Sequence, residues 1–560
     1  MVTADEPAHP APAGLAHGRL GAGSAALFGV AAAAPIATVV TVIPQALAAG
    51  AGPLVALSVV AVAVFLFIFG TSYAAMIRRR PSAGATYPQV ARGLGRPAAL
   101  IAGWLALTGY HAIQFGLYAV LGQAAAPLLD NWFGVSAPWW AVAAGCWAVV
   151  AFCGTLRIEF AAGVLGLLAV AEVAVLIGLA GAFVLRPAGG RIETGTYLVT
   201  DPARWDRPLL GLLLAVAVLA FAGFETTAGY AEESRDPGRT TGRAARAAVL
   251  LIALLLAGVS WSLIVAAGPR EVAGRAAAHG PELLFVLADE RMVGWAVTLA
   301  RLTLLTGLLA AVLALHQAIV RYLFAFGRER VLPGVLGRVS RRTGAPRAAS
   351  LTQSLVAGAA LTGAYLAGAD ASARTARWLV VGGGLAILVL LLLTALAALL
   401  HLNRVPEGEG VWTRFAAPLL STVALGVLCW LAGRHLAVLL VVPAGSPWVT
   451  VVFGGLAACL VAGLAHALVL RTARPVLYAG IGLGGAALVV TPKVAHPSGN
   501  PWSWDTPPGV AADPSAVDPP GVAAGPSAVA PPAAGESPKI PEQRTPGAHR
   551  PERIHGEVNG

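Results

Sequence analysis

Apolar residues in this chain come in long unbroken runs, without the alternation of a half-buried strand; Leu250-Leu-Ile-Ala-Leu-Leu-Leu256 is one example. Runs of about 20 apolar residues are long enough to cross a ~30 Å hydrocarbon core as helices. Read in order, the pattern predicts helix 1 over Ser24–Ala49, helix 2 over Pro53–Met76, helix 3 over Ala98–Leu128, helix 4 over Pro138–Gly154 and helix 5 over Phe160–Leu185. Helix 6 starts at Leu209 and runs into Phe221-Ala-Gly-Phe-Glu225. Helices 7 to 12 follow over Ala247–Ala267, Met292–Phe326, Ala348–Ala367, Ala376–Leu402, Arg414–Ala432 and Pro447–Leu470. Pro281 to Ala288 is too short to span and reads as a surface or re-entrant helix. Val476 to Val490 is apolar, short and glycine-rich; it reads as an interfacial segment, with a thirteenth span as the alternative.

Composition narrows the class. At 57% hydrophobic and 12% charged residues, with a mean hydropathy of +0.74, the chain is too apolar for a soluble globule. Spanning segments must satisfy their backbone polar groups internally, as helices or closed barrels. Barrel strands alternate in polarity, which these runs do not. The expected fold is therefore an all-α polytopic membrane protein. The net charge of +11 sits in arginines beside the spans and does not call for nucleic acid. Arg78–Arg80, Arg92, Arg96, Arg235–Arg246 and Arg328–Arg347 follow helices 2, 6 and 8, which predicts a cytoplasmic N-terminus and those loops inside. Cys146, Cys153, Cys429 and Cys459 lie in apolar runs without a CxxC pair, so neither a disulfide framework nor a metal site is expected. Residues 1–24 lack the basic start and cleavage site of a signal peptide.

The N-terminal 23 residues read as a polar cytoplasmic tail. Residues 491–560 read as a disordered Pro/Ala-rich tail, with a twelve-residue repeat at Pro507–Asp518 and Pro519–Ala530.

Two interruptions stand out. Pro35 lies inside helix 1, in Ala34-Pro35-Ile36-Ala37-Thr38, and Gly223 lies inside helix 6 beside the carboxylate Glu225. Proline removes a backbone donor and exposes a carbonyl one turn back; small neighbours let a ligand approach the backbone. Ionisable groups within a span are costly and mark a pathway or site. Glu225 is thus expected to line a cavity, binding a substrate ammonium or carrying a proton, or else to fix packing by bonding across helices. Glu172, deep in helix 5, is a second proton-carrying candidate, with Arg301 as one possible partner.

Three ordered stretches resemble the amino acid–polyamine–organocation permeases. They are Phe221-Ala-Gly-Phe-Glu225 with Glu232-Glu233-Ser-Arg-Asp-Pro237, Ser82-Ala-Gly-Ala-Thr-Tyr87 with Gly93-Leu-Gly95, and His316–Pro333 with Gly344-Ala-Pro346. The resemblance covers about residues 20 to 470. It implies a LeuT-like 5+5 inverted repeat, here 24–185 and 208–402 within a core of 24–402, with two additional helices in 403–474, a short apolar segment at 475–490, and twelve transmembrane helices in all. It also implies a small-molecule site at mid-membrane between broken helices 1 and 6, where paired interruptions are the strongest sequence pointer to a transporter site. The substrate-binding candidates are Ala34, Pro35, Ile36, Ala37, Thr38, Phe221, Ala222, Gly223, Phe224 and Glu225. Ala33-Ala-Pro-Ile36 departs from the Gly-Ser/Thr-Gly run of many members, so the resemblance leaves the cargo open.

The implied function is secondary active transport of amino acids across the cell membrane by alternating access, as proton-coupled symport or exchange, with an amine or polyamine permease as the alternative. A membrane enzyme would need a nucleophile–base set or metal ligands at matching depth, and none is found. A membrane sensor with a transporter-like core would need an added folded domain. No cofactor is expected beyond a proton or sodium gradient. Thr303 and Thr306 on helix 8 could contribute to sodium coupling, although hydroxyls in apolar helices also bond their own preceding turn. Arg321 and Arg328 read as inside anchors that could also pair with Glu232, Glu233 or Asp236 as a gate.

Overall fold

A computed structural model of the chain describes residue 15 and residues 17–197, 207–340, 342–368 and 373–484. Most of the N-terminal tail, the repeat-bearing tail and the later part of 475–490 lie outside the described residues. Among the described residues the structure is helical, with one isolated β-bridge between Leu20 and Ser234.

Ten helices among the described residues are long and apolar enough to cross a membrane. Two of them are interrupted. The first comprises α1 (Ala22–Ala33), α2 (Pro35–Thr41) and α3 (Ile43–Ala48). The fifth begins as α9 (Arg207–Ala220) and continues as a 3₁₀ helix, Phe224–Glu233. Between them come α4 (Leu54–Arg79), the short α5 (Tyr87–Leu94), α6 (Arg96–Phe133), α7 (Trp139–Gly154) and α8 (Ile158–Leu185). The second half holds α10 (Pro237–Ala267), α11 (Val272–His279), α12 (Leu283–Asp289), α13 (Gly294–Arg328), α14 (Arg347–Leu366) and α15 (Ala373–Arg404). α16 (Ala417–Arg434), α17 (Leu436–Leu440), α18 (Pro447–Ala473) and α19 (Pro475–Ala479) complete it.

Ten spans is fewer than the twelve helices expected, and the physical reason is local. α7, at helix 4, has only 16 residues. α14, at helix 9, has its apolar run diluted by Ser350, Thr352, Gln353 and Ser354. The Pro281–Ala288 stretch forms α12, a seven-residue helix with buried Leu283, Leu284, Phe285 and Leu287, as its length required.

Packing is tightest where side chains are smallest. α6 and α15 cross at Gly109 and Gly383, where a Cβ on Gly383 would sit 2.6 Å from the Gly109 carbonyl oxygen. α18, by contrast, exposes Trp448, Val451, Phe453, Val461, Leu464 and Val469. Such a large apolar face suits lipid rather than water, since soluble monomers seldom expose extended apolar patches. Helix ends follow ordinary rules: the Asp236 carboxylate caps α10 by accepting from Gly238 and Arg239 N–H at 3.1 and 3.2 Å, with Pro237 at the first helical position.

The arginine-rich loops gather at one end of the bundle. There the backbone around Arg19 and Leu20 bonds to Glu233 and Arg235, Arg79 bonds the carbonyls of Val405 and Pro406, and Arg328 meets Glu232.

Candidate functional site

The two interruptions meet. Ala34 takes a left-handed conformation (φ 49°), ending α1, and Pro35 restarts the chain as the first residue of α2. Gly223 has φ 121°, a region that favours glycine. A Cβ there would fall 2.6 Å from the backbone carbon of Ala32, so the broken strands of helices 1 and 6 touch backbone to backbone.

The breaks release backbone groups. In an unbroken helix the Ala32 carbonyl would accept from the Ile36 N–H, but that N–H donates to Glu172 Oε1 at 2.8 Å. The Ala220 carbonyl would accept from the Phe224 N–H, which instead donates to Phe221 at 3.2 Å. Ala32, Ala37 and Ala220 all line a cavity of about 1660 Å³. The cavity runs from these breaks between α6, α9, α12, α13 and α15 to the exposed residues Trp132, Asp289, Glu290 and Val441. Carbonyls freed at one place suit the ammonium of a zwitterion.

Of the substrate-binding candidates, Ala34, Ala37, Thr38 and Ala222 line this cavity; Pro35, Ile36, Phe221, Gly223, Phe224 and Glu225 do not. Thr38 makes no side-chain hydrogen bond among the described residues. Phe221 and Phe224 are fully buried, with Phe224 edge-on to Phe69 at 6.2 Å between ring centres. Glu225 turns away from the cavity because two closer donors claim it: the Gly223 N–H at 3.0 and 3.2 Å to its two oxygens, and the Tyr110 hydroxyl at 2.7 Å. Its own carbonyl accepts from the Tyr73 hydroxyl at 2.9 Å.

The coupling and gating candidates fall into three groups. Glu172 on α8 reaches α2 through the Ile36 N–H, while its Oε2 is buried without a partner beside Gly307 of α13. A Cβ at Gly307 would lie 3.0 Å from that oxygen. Arg301 is not its partner; it pairs with Glu282 at 2.6 Å, over the Phe285 ring. The Thr303 and Thr306 hydroxyls bond their own helix, to Leu299 and Thr303 carbonyls at 2.8 and 3.3 Å.

Arg321 and Arg328 form the third group, at the arginine-rich end. Arg321 Nε and Nη2 donate to Glu233 Oε2 at 3.0 and 2.7 Å, its Nη1 donates to the Gln317 carbonyl, and the guanidinium lies 4.0 Å from the centre of the Tyr230 ring. Both partners of this pair are almost wholly buried. Arg328 holds Glu232 in a two-pronged pair at 2.8 and 2.6 Å, and Glu232 also accepts the Ala83 N–H at 2.8 Å. Helix 6 is thereby tied to α13, and to the loop before α5, on the side of the breaks away from the cavity.

The sequence model of the amino acid permease family matches residues 23–472. The chain belongs to the amino acid permease family. It is thus a member of the superfamily that the three signatures resembled, a multi-pass membrane transporter family rather than an enzyme family. Among its relatives is an uncharacterized transporter of Mycobacterium tuberculosis, 28% identical over 353 residues, covering 63% of this chain and 75% of the relative. A branched-chain amino acid permease of Lactococcus lactis is 29% identical over 326 residues, covering 55% and 68%. A low-affinity putrescine importer of Escherichia coli is 23% identical over 269 residues, covering 47% and 56%.

Sequence reasoning placed Tyr110 on helix 3 but assigned it no role. A hydroxyl within a span was the available signal, since buried polar groups need partners. Glu329, discussed below, left no such signal: in the chain it is one charge among Arg328, Arg330 and their neighbours.

Proposed function

We propose that this permease is a secondary active transporter of neutral amino acids with apolar side chains, working by alternating access in the cell membrane. The arginine-rich end would face the cytoplasm, and the repeats 24–185 and 208–402 would move against each other. The observation that carries the reading is the cavity: it ends on the paired breaks at Ala34 and Gly223, and beyond the breaks the Arg321–Glu233 and Arg328–Glu232 pairs close the opposite side.

The lining favours an amino acid over a diamine. Ala33, Ala37, Ile113, Leu117, Ala222 and Val380 wall the cavity on α1, α2, α6, α15 and the helix 6 break. Its only lining carboxylates among the described residues are Glu282, Asp289 and Glu290. All three come from the α12 region at the exposed rim, and Glu282 and Glu290 are already paired with arginines. A doubly charged amine would need desolvated anionic partners deeper in. The branched-chain relative agrees with this; the putrescine relative supports the amine reading as the alternative.

Proton coupling fits better than sodium coupling. Glu172 has a carboxylate oxygen without a partner at the junction of α2, α8 and α13, a place for a proton to enter. A proton gained there would weaken the hold of the carboxylate on the Ile36 N–H and loosen α2.

Uptake into proteoliposomes tests the whole reading, with radiolabelled leucine, other amino acids and putrescine under imposed proton or sodium gradients. Saturable leucine uptake driven by an inward proton gradient is expected. Preference for putrescine would establish the amine alternative, and absence of saturable uptake or exchange across the panel would overturn transport.

A further inference from the structure

Just beyond the span that ends at Ala473, the chain returns to the bundle. After α19, residues 480–484 run into the arginine-rich end, and Gly480, Ile481, Gly482 and Gly484 are all buried. This segment lies past the last residue of the family match, at 472. The expectation of an interfacial segment at 475–490 therefore gives way, for its described part, to a segment docked on protein.

The docking is polar and specific. Glu329, the residue after α13, is almost wholly buried and accepts from the Gly482 N–H at 2.9 Å, the Gly484 N–H at 2.7 Å and the Tyr87 hydroxyl of α5. The Gly482 N–H also reaches the Tyr87 oxygen at 3.0 Å. Arg96, at the start of α6, donates to the Ala479 carbonyl at 3.1 Å and lies over the Tyr478 ring. A Cβ at Gly484 would stand 3.2 Å from Ser82 Oγ and 3.4 Å from Arg328 Nη2, against the residue that pairs with Glu232. Gly482 and Gly484 have φ of 80° and 60°, so this approach requires glycine conformations.

We propose that residues 475–484 form an autoinhibitory strap that holds the arginine-rich mouth shut by joining α13 to α5, α6 and the loop at Ser82. The Arg328–Glu232 pair, with the Ala83 N–H on Glu232, joins α13 to the same loop and to helix 6, so opening this mouth has to part contacts beside those the strap spans. Release of the strap lowers the cost of opening, and a ligand or modification that detached it would act as an activator. The functional part of this inference rests on the transport reading; the strap itself does not.

The test uses the full chain carrying Ser82→Cys, labelled in detergent by a polar thiol reagent, with the signal of the native cysteines subtracted. Proline at Gly482 and Gly484 removes both donors and cannot adopt a positive φ; Glu329→Ala removes the acceptor and leaves the strap sequence intact. Both changes should speed labelling of Ser82→Cys severalfold and, in proteoliposomes, raise the rate of radiolabelled leucine exchange severalfold with KM unchanged. Labelling at the parent rate in both variants overturns the strap, and so does faster labelling with unchanged or slower exchange while the parent transports leucine. If the parent exchanges no leucine but labelling still accelerates, the leucine reading fails and the strap stands.

Discussion

Glu225 and Glu172 are both buried carboxylates in apolar helices, yet their surroundings assign them different work. Glu225 is held by the Gly223 N–H and the Tyr110 hydroxyl, so it stiffens the helix 6 break and links it to α6. Tyr110→Phe should remove one hydrogen bond to a buried carboxylate and lower stability by about 1–3 kcal/mol, read as a drop in the melting temperature of the purified permease. Glu172 has one oxygen bound and one without a partner. Glu172→Gln should leave leucine binding measurable while making uptake insensitive to an imposed proton gradient; a retained gradient response would remove Glu172 from coupling. Gly223→Ala is the most severe of these changes, because the new Cβ meets Ala32 backbone at 2.6 Å and the φ of 121° is strained for alanine. Overpacking alone costs about 1–3 kcal/mol, and loss of folded protein on size-exclusion chromatography is the expected readout.

At the scale of elements, the ion pairs that bind helix 6 to α13 are unequal. Arg321→Ala would strand Glu233 in a buried site, a loss of about 3–5 kcal/mol. Arg328→Ala should cost less, because Glu232 keeps the Ala83 N–H and retains some exposure to water. Thermal unfolding of the two variants side by side checks the order; an equal loss would mean that burial does not set the difference. These elements also show how far the chain could be read. Pro35 and Gly223 announced the breaks, because proline and glycine act within a turn of themselves. The span count was less secure, since α7 is short and α14 polar. The orientation of Glu225 was not legible: its position in an apolar span suggested a cavity, but a donor two residues away on the same strand decided its direction. The contacts of Glu172 with Ile36 and of Glu329 with Gly482 join residues 136 and 153 positions apart, and no spacing along the chain encodes them.

For the whole molecule, the strap makes the state of the mouth depend on pH. Burial pushes the Glu329 carboxyl up to about 8 from its ordinary 4.5, against the pull of the Gly482 and Gly484 amides. The other polar group facing it is the Tyr87 hydroxyl; the neighbouring Arg328 is engaged with Glu232. With the strap released and Glu329 in water, its carboxyl returns toward 4.5, so the docked form binds the extra proton between these values. Docking is therefore at full strength below about 4.5, weakens as pH rises through this window, and levels off above about 8. Labelling of Ser82→Cys, corrected for the reagent's own pH dependence, should accelerate across that window, and Glu329→Gln should flatten the profile. A profile unchanged by Glu329→Gln would assign the dependence elsewhere.

The cavity of about 1660 Å³ carries one more consequence. At about 30 Å³ per molecule in the liquid, it holds several tens of waters. A cycle that closes this space returns that water to the solution it came from, so the two conformations differ in hydration as well as shape. Osmotic stress then becomes a lever on the transporter: a solute too large to enter the cavity draws water out and favours the closed form. Leucine exchange measured against increasing concentrations of such a solute on the cavity side should shift steadily with water activity, and the slope would count the water moved per turnover.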